Sequence, residues 1–497
     1  MTGLRSRAVR MGVVAAAAML GTLPLGHRSL ASAEDVTKPV PPPTPEQVAA
    51  WADRDQAMQK AAAGDVASMT HLGLIYDNAH GVAQDYAEAM RWYRKGADGG
   101  DTTAMNNIGF LYMNGRGVPE DDAEAMRWFR KAADAGQVSS FGNIGFLYSK
   151  GKGVPQDYAE AMRWYRKGAD AGDATAMFNV GSLYDDGHGV PQDYAEAMRW
   201  YRKAADGGNT TAINNIAFLY DNGHGVPQDY GQAMTWFRKA ADAGDAAAMN
   251  NIGSLYRDGH GVPQDYAEAM RWFRKSADAG GAAGMFNAGS MYDDGQGVPR
   301  DYAQAMQLYR QSADGGDSAA MNNIGFLYYA GHGVPQDYAQ ALQWYRKSVD
   351  AGDTTAMNNI GSLYRDGNGV PQDYAEALKW YRRAAEAGVT AGMFNLGALY
   401  DDGHGAPQDY AEALKWYRKA ADGGDTTAMN NIGILYYGGH GVPQDYGQAM
   451  QWFRKAADAG DATAMGNIAT LYSEGDGVPK DADEAQRWKD KAAAAKR

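Results

Sequence analysis

Residues 320–338 read AMNNIGFLYYAGHGVPQDY. Ala320, Ile324, Leu327 and Tyr328 recur at helical spacing, so the stretch opens in a helix with one apolar face. Asp317 stands before that helix as an N-cap, and Gly331 predicts its end. Asp337 then caps a second helix, whose Tyr338, Ala341, Trp344, Tyr345 and Ser348 form a wide apolar stripe that can pack on two neighbours. Between the helices lies GHGVP, two glycines around His332. Those five residues pose a choice between a phosphate or metal site and a spacer.

The rest of the chain decides it, because the stretch recurs. Met69, Met105, Met177, Met249, Met285, Met321, Met357, Met393, Met429 and Met465 fall on a 36-residue grid, with Phe141 and Ile213 at the remaining points. Tryptophans from Trp92 to Trp488 fall on a second grid, with Leu308 as its exception. Residues 66–497 are 432 residues, twelve units of 36, and residues 46–65 read as a lone second helix in the same phase, a cap. The place of His332 is taken in the other units by His80, Arg116, Lys152, His188, His224, His260, Gln296, Asn368, His404, His440 and Asp476. A metal ligand is not interchangeable with lysine or arginine. The flanking glycines hardly vary, because they supply backbone angles that other residues resist. GHGVP therefore reads as a spacer.

Three further positions repeat. A glutamate follows the second N-cap by three residues, as from Asp373 to Glu376, the acidic relative of a capping box. Gly325 and its equivalents sit inside a helix, replaced only by Ala217 and Ala469, at a cost of roughly 1 kcal/mol each. That cost predicts two helix backbones in close approach. Asn323 and ten equivalents lie on the apolar side, which predicts a buried amide bonded to a neighbouring backbone.

The pattern A-x-x-N-I-G-x-L-Y-x-x-G-x-G-V-P-x-D-x-x-x-A-x-x-W-Y-x-K-A-A resembles the Sel1-like repeat (SLR), a relative of the tetratricopeptide repeat, over about 432 of the 497 residues. The resemblance implies an all-α fold: a right-handed α-solenoid of about twelve 36-residue helix-turn-helix repeats, with a concave groove lined by the first helix of each. It also implies a non-enzymatic adaptor in envelope assembly, signalling or host interaction. Departures are small: Ala79 for the first loop glycine, Ala83 for its proline, and Leu308 for tryptophan. Some cysteine-rich members are associated with β-lactam binding or hydrolysis, and this chain has no cysteine.

Composition narrows the function classes. With 45% hydrophobic and 22% charged residues the chain is neither disordered nor membrane-embedded. The absence of cysteine excludes disulfides, thiolate nucleophiles and cysteine-ligated metals. Arg5, Arg7 and Arg10, a short apolar run and the small residues Ala31 to Ala33 predict a signal peptide over residues 1–33, cut after Ala33. The apolar run is about 14 residues, short of the roughly 20 a span needs, so no stable membrane insertion is expected. A proline-rich tether is expected over 34–45. Cleavage removes four arginines from a chain of net charge −13 and leaves −17, which repels nucleic acid. The product would be periplasmic or secreted, in a bacterium.

No nucleophile, base and orienting group fall together, so no catalytic residue, metal or cofactor is assigned. SKGK (149–152) matches a Ser-x-x-Lys pattern once, inside one spacer. The pairs Asp185–Asp186, Asp293–Asp294 and Asp401–Asp402 diverge around their helices, and RWYRK (199–203) reads as a solvated face paired with Glu196.

A partner surface is read from variation between units. Positions equivalent to Asn322, Phe326 and Tyr329 change freely and share one face of the first helix. The variation steps by three units: Phe178, Phe286 and Phe394; Asp185, Asp293 and Asp401; Arg257 and Arg365; Tyr329 and Tyr437. Duplication of a three-unit block is one source of that step. A long or repetitive partner is the other, with exposed Phe, Tyr and Arg as anchors for a protein, an extended polypeptide or an envelope polysaccharide. The expected function is an exported protein–protein interaction scaffold, and the alternative is a cell-envelope hydrolase acting on peptidoglycan or β-lactams.

Overall fold

The computed structural model describes residues 54–79 and 82–495. The signal segment, the tether and the start of the cap lie outside the described residues. Among those residues there are 25 helices and no strand.

Helix boundaries fall where capping chemistry puts them. The eighth repeat begins with the helix Ser318–Ala330, and Asp317 accepts a hydrogen bond from the Ala320 backbone at 3.0 Å. Gly331 ends it at φ +72°, a left-handed conformation glycine adopts without a Cβ penalty. The second helix, Tyr338–Asp350, starts from Asp337, which accepts from the Gln340 backbone at 3.0 Å. The glutamate three residues past this cap serves another purpose than a reciprocal capping box. Glu376 accepts from the indole Nε1 of Trp380 at 3.1 Å and from Lys379 at 2.9 Å, and Arg383 lies over the same indole. It thus orients the tryptophan ring of its own helix.

The chain divides into two compact units, one ending at Gly280 and the other beginning at Gly281. In the first, the helix Arg54–Ala62 buries Ala57 and Ala61 in a cluster with Leu72 and Ile75 of the first repeat. Within each unit every helix packs on the one before it and the one after it, which makes each unit an α-solenoid of paired helices.

The interior of a repeat is built around one aromatic ring of its second helix. Tyr345 is 2% exposed and lies among Leu342, Ile360 and Leu363. A Cβ added at Gly325 would meet two carbons of that ring at 2.7 Å and the Ala341 carbonyl oxygen at 3.3 Å. The helical glycine is therefore a socket for the neighbouring ring, and not simply a point where two backbones meet.

Three side-chain devices join successive repeats. Arg346 donates to the Tyr364 hydroxyl at 3.1 Å, and the same arginine–tyrosine step of 18 residues recurs along both units. The asparagine expected to be buried is half-buried at Asn323 and Asn359 and does not use the neighbouring backbone: Asn359 donates its side-chain amide to the Oδ1 of Asn322 in the preceding repeat at 2.9 Å. The same ladder joins Asn143 to Asn106, Asn251 to Asn214, Asn395 to Asn358 and Asn467 to Asn430. Finally, the loop histidine stacks on a tyrosine of the preceding repeat, His332 on Tyr302 with ring centroids 4.4 Å apart.

The role of GHGVP follows from these contacts. Gly333 has φ +69°, and a Cβ there would lie 2.7 Å from the Tyr302 Cβ and 2.9 Å from its carbonyl carbon. The loop thus seats on the start of the preceding second helix, with glycine where a side chain would strike backbone. Gln336 returns to cap the first helix by donating to the Tyr329 carbonyl at 2.8 Å. The spacer is a repeat-to-repeat joint. Ala79 takes the first glycine position in the first repeat and holds φ +59°, a strained angle for alanine.

Candidate partner-binding surface

The residues expected to anchor a partner lie on first helices, but the structure gives them two different surroundings. Phe178, Asp185 and Asn322 are buried, Phe178 at 2% exposure, which corrects their expected exposure. Phe178 stacks on Tyr201 at 5.6 Å, and the Tyr201 hydroxyl donates to Asp185 at 2.9 Å. Phe286 and Phe394 are half-buried and lie 5.7 Å from Tyr309 and Tyr417, whose hydroxyls donate to Asp293 and Asp401 at 3.1 Å. Each phenylalanine thus shares one tyrosine with the aspartate seven residues on. The three-unit step of Phe and Asp is the step of an internal arrangement in which both side chains pack on one tyrosine of the second helix.

Electrostatics agree with an internal role. Burial raises the Asp293 carboxyl above its usual range, and neighbouring Asp294 adds to this while the Tyr309 bond opposes it. Burial and then Asp293 hold the Tyr309 hydroxyl well above its ordinary value, with Asn323 of the next repeat donating to it in opposition. The tyrosine therefore stays a proton donor in the bond, and the group is structural glue. The paired acids diverge as expected: Asp186 accepts from Ser182 at 3.2 Å while Asp185 faces Tyr201.

The remaining residues face outward to different degrees. Arg257 pairs with Asp258 through two bonds of 2.8 and 3.0 Å, and Arg365 with Asp366 at 2.7 and 3.0 Å. Both arginines are partly exposed. Tyr329 meets Tyr338 edge to face at 5.3 Å, and Phe326 meets His332 in the same manner at 6.1 Å. Tyr437 donates to Asp476 at 2.8 Å. Beside these half-buried aromatics stand the exposed carboxylates Asp294, Asp366 and Asp402, each at the C-terminal end of a first helix. Helix C-termini carry partial negative charge of their own, which adds to Asp294 and Asp402, while Asp366 is already paired with Arg365. Among the described residues no group of three or more His, Cys, Asp or Glu could hold a metal ion. RWYRK is a solvated face, with Arg199 paired to Glu196 at 2.9 Å and Lys203 over the Trp200 ring.

Sequence reasoning missed the asparagine ladder, the arginine–tyrosine clamps and the histidine stacks. Each joins residues at a constant step of 18, 30 or 37, and a search for residue pairs repeating at fixed separations would have exposed them. It also missed Asp221, an aspartate equivalent to Asp185 that faces no tyrosine hydroxyl.

Comparison with known proteins follows the repeat. A Sel1 repeat family model matches twelve segments in succession, from 66–101 to 462–496. A protective antigen of uropathogenic Escherichia coli that displays an SLR fold is 33% identical, over 89% of this chain and 95% of that one, with a TM-score of 0.52. A Sel1 repeat protein from Oxalobacter formigenes is 32% identical, over 49% of this chain and 96% of that one, with a TM-score of 0.45. An immunity protein from Pseudomonas aeruginosa is 21% identical, over 43% of this chain and 81% of that one, with a TM-score of 0.31. No protein of curated function matches the chain. The chain belongs to the Sel1 repeat family, whose members are in general protein–protein interaction scaffolds.

Proposed function

We propose that this protein is an exported, non-catalytic scaffold that takes up a polypeptide along the first-helix strip of its repeats. One observation carries the reading. Core positions such as Ala320, Ile324 and Leu327 are fully buried and hardly vary between repeats, while Phe326 and Tyr329 on the same helix vary and stay partly open. In this repeat a fixed scaffold carries two variable, accessible side chains, the arrangement a recognition surface requires, whereas the equivalent Asp185 and Asp221 of other repeats are buried. The chemistry of the first helices suits a polypeptide with apolar and basic side chains, since they carry partly open aromatic faces and the exposed carboxylates Asp294 and Asp402. Export rests on the N-terminal basic and apolar segment, with cleavage after Ala33.

The test is photocrosslinking in the producing cell from a reactive residue at Phe326, followed by mass analysis of the recovered chain. The expected result is a discrete adduct with one polypeptide, on a chain that begins at Glu34. Introducing Phe326→Ser and Tyr329→Ser leaves helicity unchanged and lowers capture from a neighbouring reporter site at least tenfold, as loss of two anchor residues should. Undiminished capture by the double variant contradicts the surface, and a chain retaining residues 1–33 contradicts export.

A further inference from the structure

Asp77, Asp185, Asp221, Asp293 and Asp401 occupy one position of the first helix. Four of them receive a tyrosine hydroxyl from sixteen residues on: Tyr93 to Asp77 and Tyr201 to Asp185 at 2.9 Å, Tyr309 to Asp293 and Tyr417 to Asp401 at 3.1 Å. In the fifth repeat, whose first helix is Thr210–Asn222, the residue at that step is Phe237. Asp221 is 2% exposed, and both its carboxylate oxygens are closed to water with no hydrogen-bond partner among the described residues. Its backbone is satisfied, because the carbonyl accepts from Gln228 at 2.8 Å. Only the side chain is orphaned. A charge held out of water without a donor is strongly disfavoured, so the group seeks a proton or a cation.

The array shows what stands opposite. The first-helix position of Asp221 faces the loop position 39 residues on, in the next repeat. Tyr437 and Asp476 are hydrogen-bonded across that step at 2.8 Å, and Tyr329 and Asn368 are hydrogen-bonded across it as well. For Asp221 the loop residue is His260, whose ring stacks on Tyr230 at 4.8 Å and whose buried Nδ1 has no partner. The charges acting on Asp221 are those of His260 and of Asp258, at the end of the helix Ala246–Asp258. Asp258 is itself paired with Arg257 at 2.8 Å, and the second helix of the same repeat, Tyr230–Asp242, presents Phe237.

We propose that Asp221 takes up a proton at the junction of the fifth and sixth repeats, so that mild acid tightens this junction and neutral pH loosens it. The proton comes from solvent. It neutralises the Asp221 carboxylate, which is buried without a donor. Burial pushes the Asp221 carboxyl up to about 6, with His260 opposing and Asp258 adding. A carboxyl raised above its unfolded value contributes stability that is full below about pH 3.9 and is lost as pH rises through about 6.

The test is hydrogen exchange on the full chain, corrected for intrinsic rates, at the amides of Thr210–Asn222. With those two pKa values, protection at pH 5.0 should exceed that at pH 7.5 by about tenfold. Asp221→Asn should abolish the ratio. Phe237→Tyr should shrink it, by giving the ionised carboxylate the hydroxyl the other repeats have. If Asp221→Asn does not fold, Phe237→Tyr decides. An unchanged protection ratio in the variants overturns the proposal.

Discussion

Replacing Tyr345 by alanine should destabilise the second unit by about 3–5 kcal/mol, the range for emptying a buried aromatic site. The ring is 2% exposed and fills the socket left by Gly325, so no neighbour can close the cavity without moving a helix. Tyr345→Phe should cost under about 1 kcal/mol, because the position that is aspartate in other repeats is Tyr329 here. Phe129, Phe237, Phe273 and Phe453 fill the same place elsewhere. Urea unfolding of the full chain, with exchange read over residues 318–353, gives both values. A Tyr345→Ala variant within about 1 kcal/mol of the parent would show that this ring is not the centre of its repeat.

The second large effect should come from the loop. Gly333→Val forces a β-branched residue to φ +69° and drives a Cβ to 2.9 Å from the Tyr302 carbonyl carbon. The left-handed angle alone costs roughly 1–2 kcal/mol, and the clash with backbone adds to it, so a loss of about 3 kcal/mol or more is expected. His332→Gln in the same loop should cost under about 1 kcal/mol, since it loses one stack on Tyr302. Thermal melts of the two variants compare them directly. A joint predicts that the glycine matters most, whereas a ligand site would make the histidine the sensitive residue.

The fold was legible because its signals are local. Asp317, Gly331 and Asp337 mark helix ends by chemistry that acts within one turn, and the structure places the ends there. The 36-residue grid adds the only long-range fact the fold needs, that each unit's apolar stripes are met by its neighbours. The partner surface was less legible, because variation between units was read as exposure. Phe178 and Asp185 vary between units and are buried, since both pack on Tyr201, sixteen residues beyond the aspartate. Periodicity likewise shows that Asn323 is inside without showing what it meets. Whether such an amide finds an asparagine, as Asn359 finds Asn322, or a tyrosine, as Asn323 finds Tyr309, depends on the preceding repeat. Asp221 is the informative exception: the aspartate kept its place and Phe237 stands where the others have tyrosine.

The most direct test of the account is removal of one unit. Deleting residues 318–353 joins the seventh repeat to the ninth in phase, and places Asn359 where Asn323 stood beside Tyr309. The account predicts that this chain keeps its helical ellipticity per residue and still melts cooperatively, because each repeat contacts only its neighbours. A chain lacking residues 318–335 should lose both, since it leaves one second helix without its partner. Collapse of the 36-residue deletion to the level of the 18-residue one would contradict a scaffold built from interchangeable helix pairs.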